Sequence, residues 1–256
     1  EARAMDPQQR LLLECAREAM EDAGVVPRLR DRRVGVFVGI SASDYGNMCR
    51  DHPGAPPPSA YSGTAWSLSI AANRISYAFN LTGPSVSLDT ACSSSLVAVD
   101  MAVRAIRQGQ CHAALVAGAN IQLQESWSRA FATAGMLSVS HRCRFGSDAA
   151  NGYVRGEGVG VIFIHATAVA SQAIPFFLRP SCPPYAYIVG SAVNQDGRSN
   201  GLTAPNPAMQ EELLRAACRD AASSVAVGPR NSSGNSEQLI YRSIKYVEAH
   251  GTGTRL

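Results

Sequence analysis

Residues 34–40, VGVFVGI, form a near-continuous apolar run of strand length. A strand that shows one face to water alternates polar and apolar residues. This one does not, so both of its faces are expected to be covered, as in a parallel or mixed α/β sheet. A second run, AALVAGA at 113–119, has the same character and points to a second buried strand.

The rest of the chain alternates around these runs. Asp6 and Pro7 open an amphipathic helix through QQRLLLECAREAMEDAG, with a capping carboxylate, proline in the first turn, and Leu12, Ala16, Met20 and Ala23 on one face. Gly24 is expected to end it. A Pro/Gly-rich loop (53–58) precedes a helix predicted over 64–79, and Gly83-Pro84 breaks the chain before a strand SVSL. A helix to about Gln108 stopped by Gly109, a helix near 125–134 and a polar loop at 138–151 follow. Further strands are predicted at 159–165, 186–193 and in IKYVEAH, with a helix AMQEELLRAACRDAA between the last two. Residues 223–238 read as a flexible surface insertion. Strands alternating with helices imply an α/β layered fold, with functional groups where strands end.

Within that pattern, SVSLDTACSSS followed by a helical apolar stripe (Leu96, Val99, Val103, Ile106) is a strand, a sharp turn and a helix, with Cys92 at or near the first helical turn. A helix N-terminus offers unpaired N–H groups and partial positive charge, which favour a thiolate and can cradle an oxyanion. Small neighbours, Ala91 and Ser93 to Ser95, would let a substrate carbonyl approach. A lone cysteine can equally be a small buried hydrophobe.

Composition excludes other classes. At 256 residues and 46% hydrophobic the chain can bury a real core. A net charge of +3 without a basic run argues against a nucleic-acid partner. No stretch has membrane-spanning length, and no leader is visible. Seven scattered cysteines without a Cys-x-x-Cys pair suggest neither zinc nor a redox couple and fit a reducing interior. Cytoplasm is the expected location, with an organelle left open. The chain opens on EARAMDPQQR and stops on GTGTRL, from which a fragment cut at both ends is expected.

DTACSSSLVAVDMAV resembles the active-site segment of β-ketoacyl synthase domains of type I polyketide synthases. MDPQQRLLLE, GPSVSLDTACSSS, GMLS, NGYVRGEG, GSAVNQDGRSNGLTAPN and VEAHGTGT match that family's landmarks in order. The resemblance implies a thiolase-like layered fold, here the N-terminal half plus the start of the C-terminal half, so that 1–256 forms a partial synthase domain. It implies an acyltransferase: a cysteine takes an acyl chain from a carrier-protein thioester, and decarboxylation of a malonyl-type extender yields the carbanion that attacks it. It implies no metal and no directly bound cofactor, phosphopantetheine-linked acyl substrates, acyl carrier protein and other synthase domains as partners, and a homodimer whose interface includes about Val86 to Leu88. Residue by residue, Cys92 matches the nucleophile, His250 the first catalytic histidine, and Thr252 and Thr254 residues that hydrogen-bond the phosphopantetheine arm. From chemistry alone the two threonines could equally be turn residues.

The remaining residues draw a structural reading. His52, His112, His141 and His165 are not expected to be catalytic; Asp89 and Glu157 are expected to be hydrogen-bonding groups, and Asp196 could support the site. GEGVG at 156–160 opens an apolar strand, so it is no nucleotide loop.

The sequence also departs from the family. The downstream Lys-x-x-x-Gly-His type motif does not occur before Leu256, so this chain alone is expected to condense little or nothing. Phe145 stands one place earlier than the family's Phe-Asp pair, leaving Gly146 and Ser147 there and the acyl-pocket wall open to question. The 166–184 connection is unlike the usual link, and 223–242 is longer. A fatty-acid-type condensing enzyme, a Cys-His hydrolase, and a non-catalytic half-domain for dimerisation or carrier docking are the competing readings.

Overall fold

The computed structural model describes residues 1–25, 33–51, 57, 59–166, 182–225 and 236–254. His52, most of the 53–58 loop, most of the 166–184 connection and the centre of the expected insertion lie outside the described residues. The chain divides into two compact units, Glu1–Trp127 with Gly156–Pro183, and Ser128–Arg155 with Pro184–Leu256.

The first unit is a sheet with helices on both faces. Strand β1 (Val34–Ile40) is buried at every position, as the unalternating run demands. It pairs in parallel with β2 (Ser85–Leu88) on one side and with β3 (Ala113–Asn120) on the other; β3 pairs antiparallel with β4 (Gly158–His165), giving a mixed sheet of order β2-β1-β3-β4.

On one face, Val34, Val36, Val38 and Ile40 pack with Leu12, Ala16 and Met20 of α1 (Pro7–Asp22) and with Ala71, Ala72 and Ile75 of α4 (Leu68–Phe79). On the other, Phe37, Ala114 and Val116 meet Ala98, Ala102 and Ala105 of α5 (Ser94–Arg107). Each large side chain so buried contributes about 1.5–3 kcal/mol.

Local chemistry sets the ends of these elements. Asp6 caps α1 by accepting from Gln8 N at 2.8 Å, and Gly24 closes it at φ 68°. Burial pushes the Asp6 carboxyl above its usual range, against the hydrogen bond from Gln8. Buried Gln8 and Gln9 carry the polar side of the MDPQQ segment across to the next layer: Gln8 Nε2 donates to the Ala42 carbonyl, and Arg74 Nε donates to Gln9 Oε1 at 2.7 Å.

Several sequence expectations change. The helix predicted over 64–79 is two, α3 (Ser62–Ala65) and α4, divided at Trp66 and Ser67. Leu96 does not belong to the buried stripe of α5, being 74% exposed; the alanines form the contact with the sheet.

In the second unit, 186–193 and 244–250 form no strand, because neither finds a ladder partner among the described residues. The first of these segments instead lies on α7 (Pro207–Val225): a Cβ on Gly190 would stand 2.5 Å from Ala221 N, and Ser191 N donates to Asp220 Oδ2 at 2.9 Å. The expected flexible insertion is helical at both flanks, where α7 runs to Val225 and α8 begins (Ser236–Ser243). The remaining helices are α2 (Asp44–Asp51) and α6 (Glu125–Thr133).

Candidate active site

Cys92 lies between β2 and α5, directly before Ser93, the residue that precedes the first turn of α5, and it is exposed. The turn is sharp because Ala91 adopts φ 54°, a left-handed conformation that costs a non-glycine residue free energy and must be held by its surroundings. Asp89 holds it. Its Oδ1 accepts from Ala91 N at 2.8 Å and from Ser41 Oγ at 2.8 Å, tying the turn to the end of β1. Ser94, buried, closes the other side: its Oγ accepts from Thr90 N at 2.9 Å and donates to the Ala91 carbonyl at 2.7 Å.

What lets the turn sit so low on the sheet is a row of glycines. Gly39 of β1 pairs with Gly118 of β3, which pairs with Gly160 of β4. A Cβ on Gly39 would stand 2.6 Å from Ser94 C and Ser95 N, and one on Gly118 would stand 3.1 Å from Ser95 Cβ. The start of α5 therefore rests on bare backbone. Neither Ser41 nor this row was singled out from the sequence. The signal was a glycine at the sixth position of both VGVFVGI and AALVAGAN.

His250, Thr252 and Thr254 belong to the second unit. His250 is exposed and precedes two glycines in left-handed conformation, Gly251 at φ 49° and Gly253 at φ 70°. Thr252 and Thr254 are half-buried with their hydroxyls 3.1 Å apart, so the pair faces one way along the turn. The turn is seated on the 143–153 segment by a hydrogen bond from Gly152 N to the Gly253 carbonyl at 2.9 Å. Ser138, buried, binds Asn151 Oδ1 at 2.7 Å beneath it.

The other candidates make local hydrogen bonds. Glu157 Oε2 accepts from Gln122 N at 3.0 Å. Asp196 clasps its own loop, accepting from Asn206 N at 3.2 Å and Asn206 Nδ2 at 3.0 Å. His165 ends β4, with Nδ1 2.7 Å from the Ala166 carbonyl. GEGVG opens β4 as expected. Buried Asp44 accepts from Leu123 N and Gln124 N at 3.0 and 3.1 Å, pinning the chain after β3. No group of three or more metal-ligating side chains occurs among the described residues. Nor is any helix among them long and apolar enough to cross a membrane.

A solvent-exposed cysteine thus stands on a strained strand-to-helix turn over a mixed α/β sheet covered on both faces, and the solved structures that share this arrangement are ketosynthases of the thiolase-like class. Residues 1–170 match the family model described as Beta-ketoacyl synthase, N-terminal domain, and residues 185–239 match Beta-ketoacyl synthase, C-terminal domain. The chain belongs to the β-ketoacyl synthase family.

It is 46% identical over 257 residues to a phenolphthiocerol/phthiocerol polyketide synthase protein of Mycobacterium tuberculosis, covering 100% of this chain and 12% of that protein. It is 43% identical over 258 residues to the spectinabilin polyketide synthase system protein NorA' of Streptomyces orinoci, covering 100% of this chain and 6% of that one. Among solved structures it resembles the ketosynthase from module 6 of the bacillaene synthase of Bacillus subtilis 168, with TM-score 0.79 and 35% identity over 98% of this chain and 38% of that chain. The chain thus spans about an eighth of the first curated relative and under half of the solved ketosynthase.

Proposed function

We propose that this chain is the part of a polyketide synthase ketosynthase that carries the acyl-accepting cysteine and the first histidine of the condensation. The observation that carries the reading is the Cys92 elbow, an exposed thiol held on a strained turn ahead of a 14-residue helix.

In the first step the Cys92 thiolate attacks the carbonyl carbon of an acyl thioester borne on the phosphopantetheine of a carrier protein. The tetrahedral oxyanion that forms is stabilised by backbone N–H groups at the helix start, which have no intrahelical acceptors. Collapse breaks the bond to the carrier sulfur, which leaves as a thiolate, and the acyl group stays on Cys92.

In the second step a malonyl-type thioester loses carbon dioxide, and the electron pair of the broken bond moves onto the thioester oxygen as an enolate. The N–H of His250 donates to that oxygen. Such a contact strengthens as charge develops, so it lowers the barrier rather than merely binding substrate. The enolate carbon then attacks the acyl carbonyl, the new carbon–carbon bond forms, and Cys92 leaves as thiolate. Thr252 and Thr254 hold the phosphopantetheine arm through their paired hydroxyls.

The partners follow from this chemistry: a carrier protein, the other domains of a synthase, and a second copy paired through β2, whose outer edge has no strand partner among the described residues. The test is made in the full-length protein. Cys92→Ala should abolish acyl loading, while His250→Ala should load and then decarboxylate malonyl thioester slowly. Loading by the Cys92→Ala protein would sink the mechanism.

A further inference from the structure

The residues beneath the His250 turn point to a role for Phe145, the aromatic that stands one place early in this sequence. Gly146, at φ 75°, turns the chain directly after it. The near half of the Phe145 ring then lies under the peptide that follows His250: a Cβ built on Gly251 would stand 3.0 Å from Cγ, 3.2 Å from Cδ1 and 3.3 Å from Cδ2 of Phe145. A Cβ on Gly253 would stand 3.3 Å from Phe145 N.

The turn that carries His250 is held against the 143–153 segment by the hydrogen bond from Gly152 N to the Gly253 carbonyl, by the close approach of Gly253 to the Arg144–Phe145 backbone and by the phenyl ring under Gly251. Of these, only the ring touches the residue adjacent to the histidine. The imidazole itself is exposed and makes no hydrogen bond with any described residue, so its aim is set by the backbone that bears it. Phe145 is 65% exposed, so its contribution to the core of the unit is small beside its contact with the turn.

We propose that Phe145 is a positioning residue for His250, seating the His250–Gly251 peptide so that the imidazole meets the thioester oxygen of the extender. This inference rests on the role given to His250 above. A catalytic group displaced by about an ångström loses up to about a hundredfold in rate, so loss of the ring should be visible in the histidine-dependent step.

The experiment uses the full-length protein and two assays: decarboxylation of malonyl N-acetylcysteamine thioester, and acylation of Cys92 by butyryl N-acetylcysteamine thioester. Phe145→Ala should slow decarboxylation about tenfold, leave acylation within about twofold, and be largely rescued by Phe145→Leu. Buried Cys218 of the same unit reports folding through its protection from alkylation. Should Phe145→Ala expose Cys218, Phe145→Ser and Phe145→Val, compared with Phe145→Leu, decide in its place by the same split between the assays. Wild-type decarboxylation in the folded variants, or equal slowing of both assays, overturns the proposal. Failure of the unaltered protein to decarboxylate, or of His250→Ala to slow it, removes instead the reading on which the proposal rests.

Discussion

The backbone of Ser94 lies so close to Gly39 that a side-chain carbon on the glycine would approach it to 2.6 Å. This contact joins the central strand to the helix that follows Cys92. It fixes the height of the reactive turn above the sheet, and it makes the site sensitive to a single methyl group.

Gly39→Ala should accordingly destabilise the protein by about 1–3 kcal/mol, the usual range for overpacking against a rigid neighbour. Gly118→Ala should cost less, because its nearest neighbour is Ser95 Cβ at 3.1 Å rather than backbone. Urea unfolding of both variants measures the difference, and an equal cost would contradict the assignment of the tight contact to Gly39.

Asp89 and Ser41 support the strained Ala91. Asp89→Ala removes the acceptor of two hydrogen bonds and should lower stability by about 1–3 kcal/mol and slow acylation of Cys92. Asp89→Asn keeps an oxygen at that position and should lie much nearer the unaltered protein. Ser41→Ala, which removes one of the two bonds that Asp89 Oδ1 accepts, should lie between them, as judged by thermal unfolding and by the rate of acyl transfer.

The pH dependence of the Asp6 cap has a definite sign. Burial raises its carboxyl above the usual 3.8, so the native state holds the proton more tightly than the unfolded chain does. The stability this linkage supplies is present below that value and is lost as pH rises through the folded-state value. Asp6→Asn keeps the cap without the charge, so its stability relative to the unaltered protein should rise from about pH 3 to about pH 7. Urea titrations of both proteins at the two pH values check this, and a difference that falls with pH contradicts it.

Thiol accessibility separates the cysteines. Burial pushes the Cys111 thiol up, against a hydrogen bond from the Gly35 N–H, and the residue is 1% exposed. Iodoacetamide with peptide-resolved mass analysis should modify Cys92, Cys143 and Cys182 readily and should reach Cys111 and Cys218 only on unfolding.

Much of the fold was legible because burial leaves a pattern. VGVFVGI could not be a surface strand, and Asp6, Pro7 and Gly24 marked the ends of α1. Cys92, His250 and the threonine pair were legible as motifs. The packing face of α5 was not: pattern reading favours large residues and chose Leu96, whereas the helix meets Phe37, Ala114 and Val116 through alanines, whose hydrophobic signal is weak. Nor could the runs at 186–193 and 244–250 be settled by composition, since a strand is a property of two segments and depends on the partner. Ser41 was invisible, because nothing in its neighbourhood marks a hydroxyl that reaches a carboxylate 48 residues away.

The most direct test of the account is the location of the acyl group. The full-length protein, incubated with an acyl N-acetylcysteamine thioester and digested, should carry the acyl mass on the peptide containing Cys92, and Cys92→Ala should carry none while His250→Ala loads normally. An acyl group on another cysteine, or undiminished loading of the Cys92→Ala protein, would contradict it.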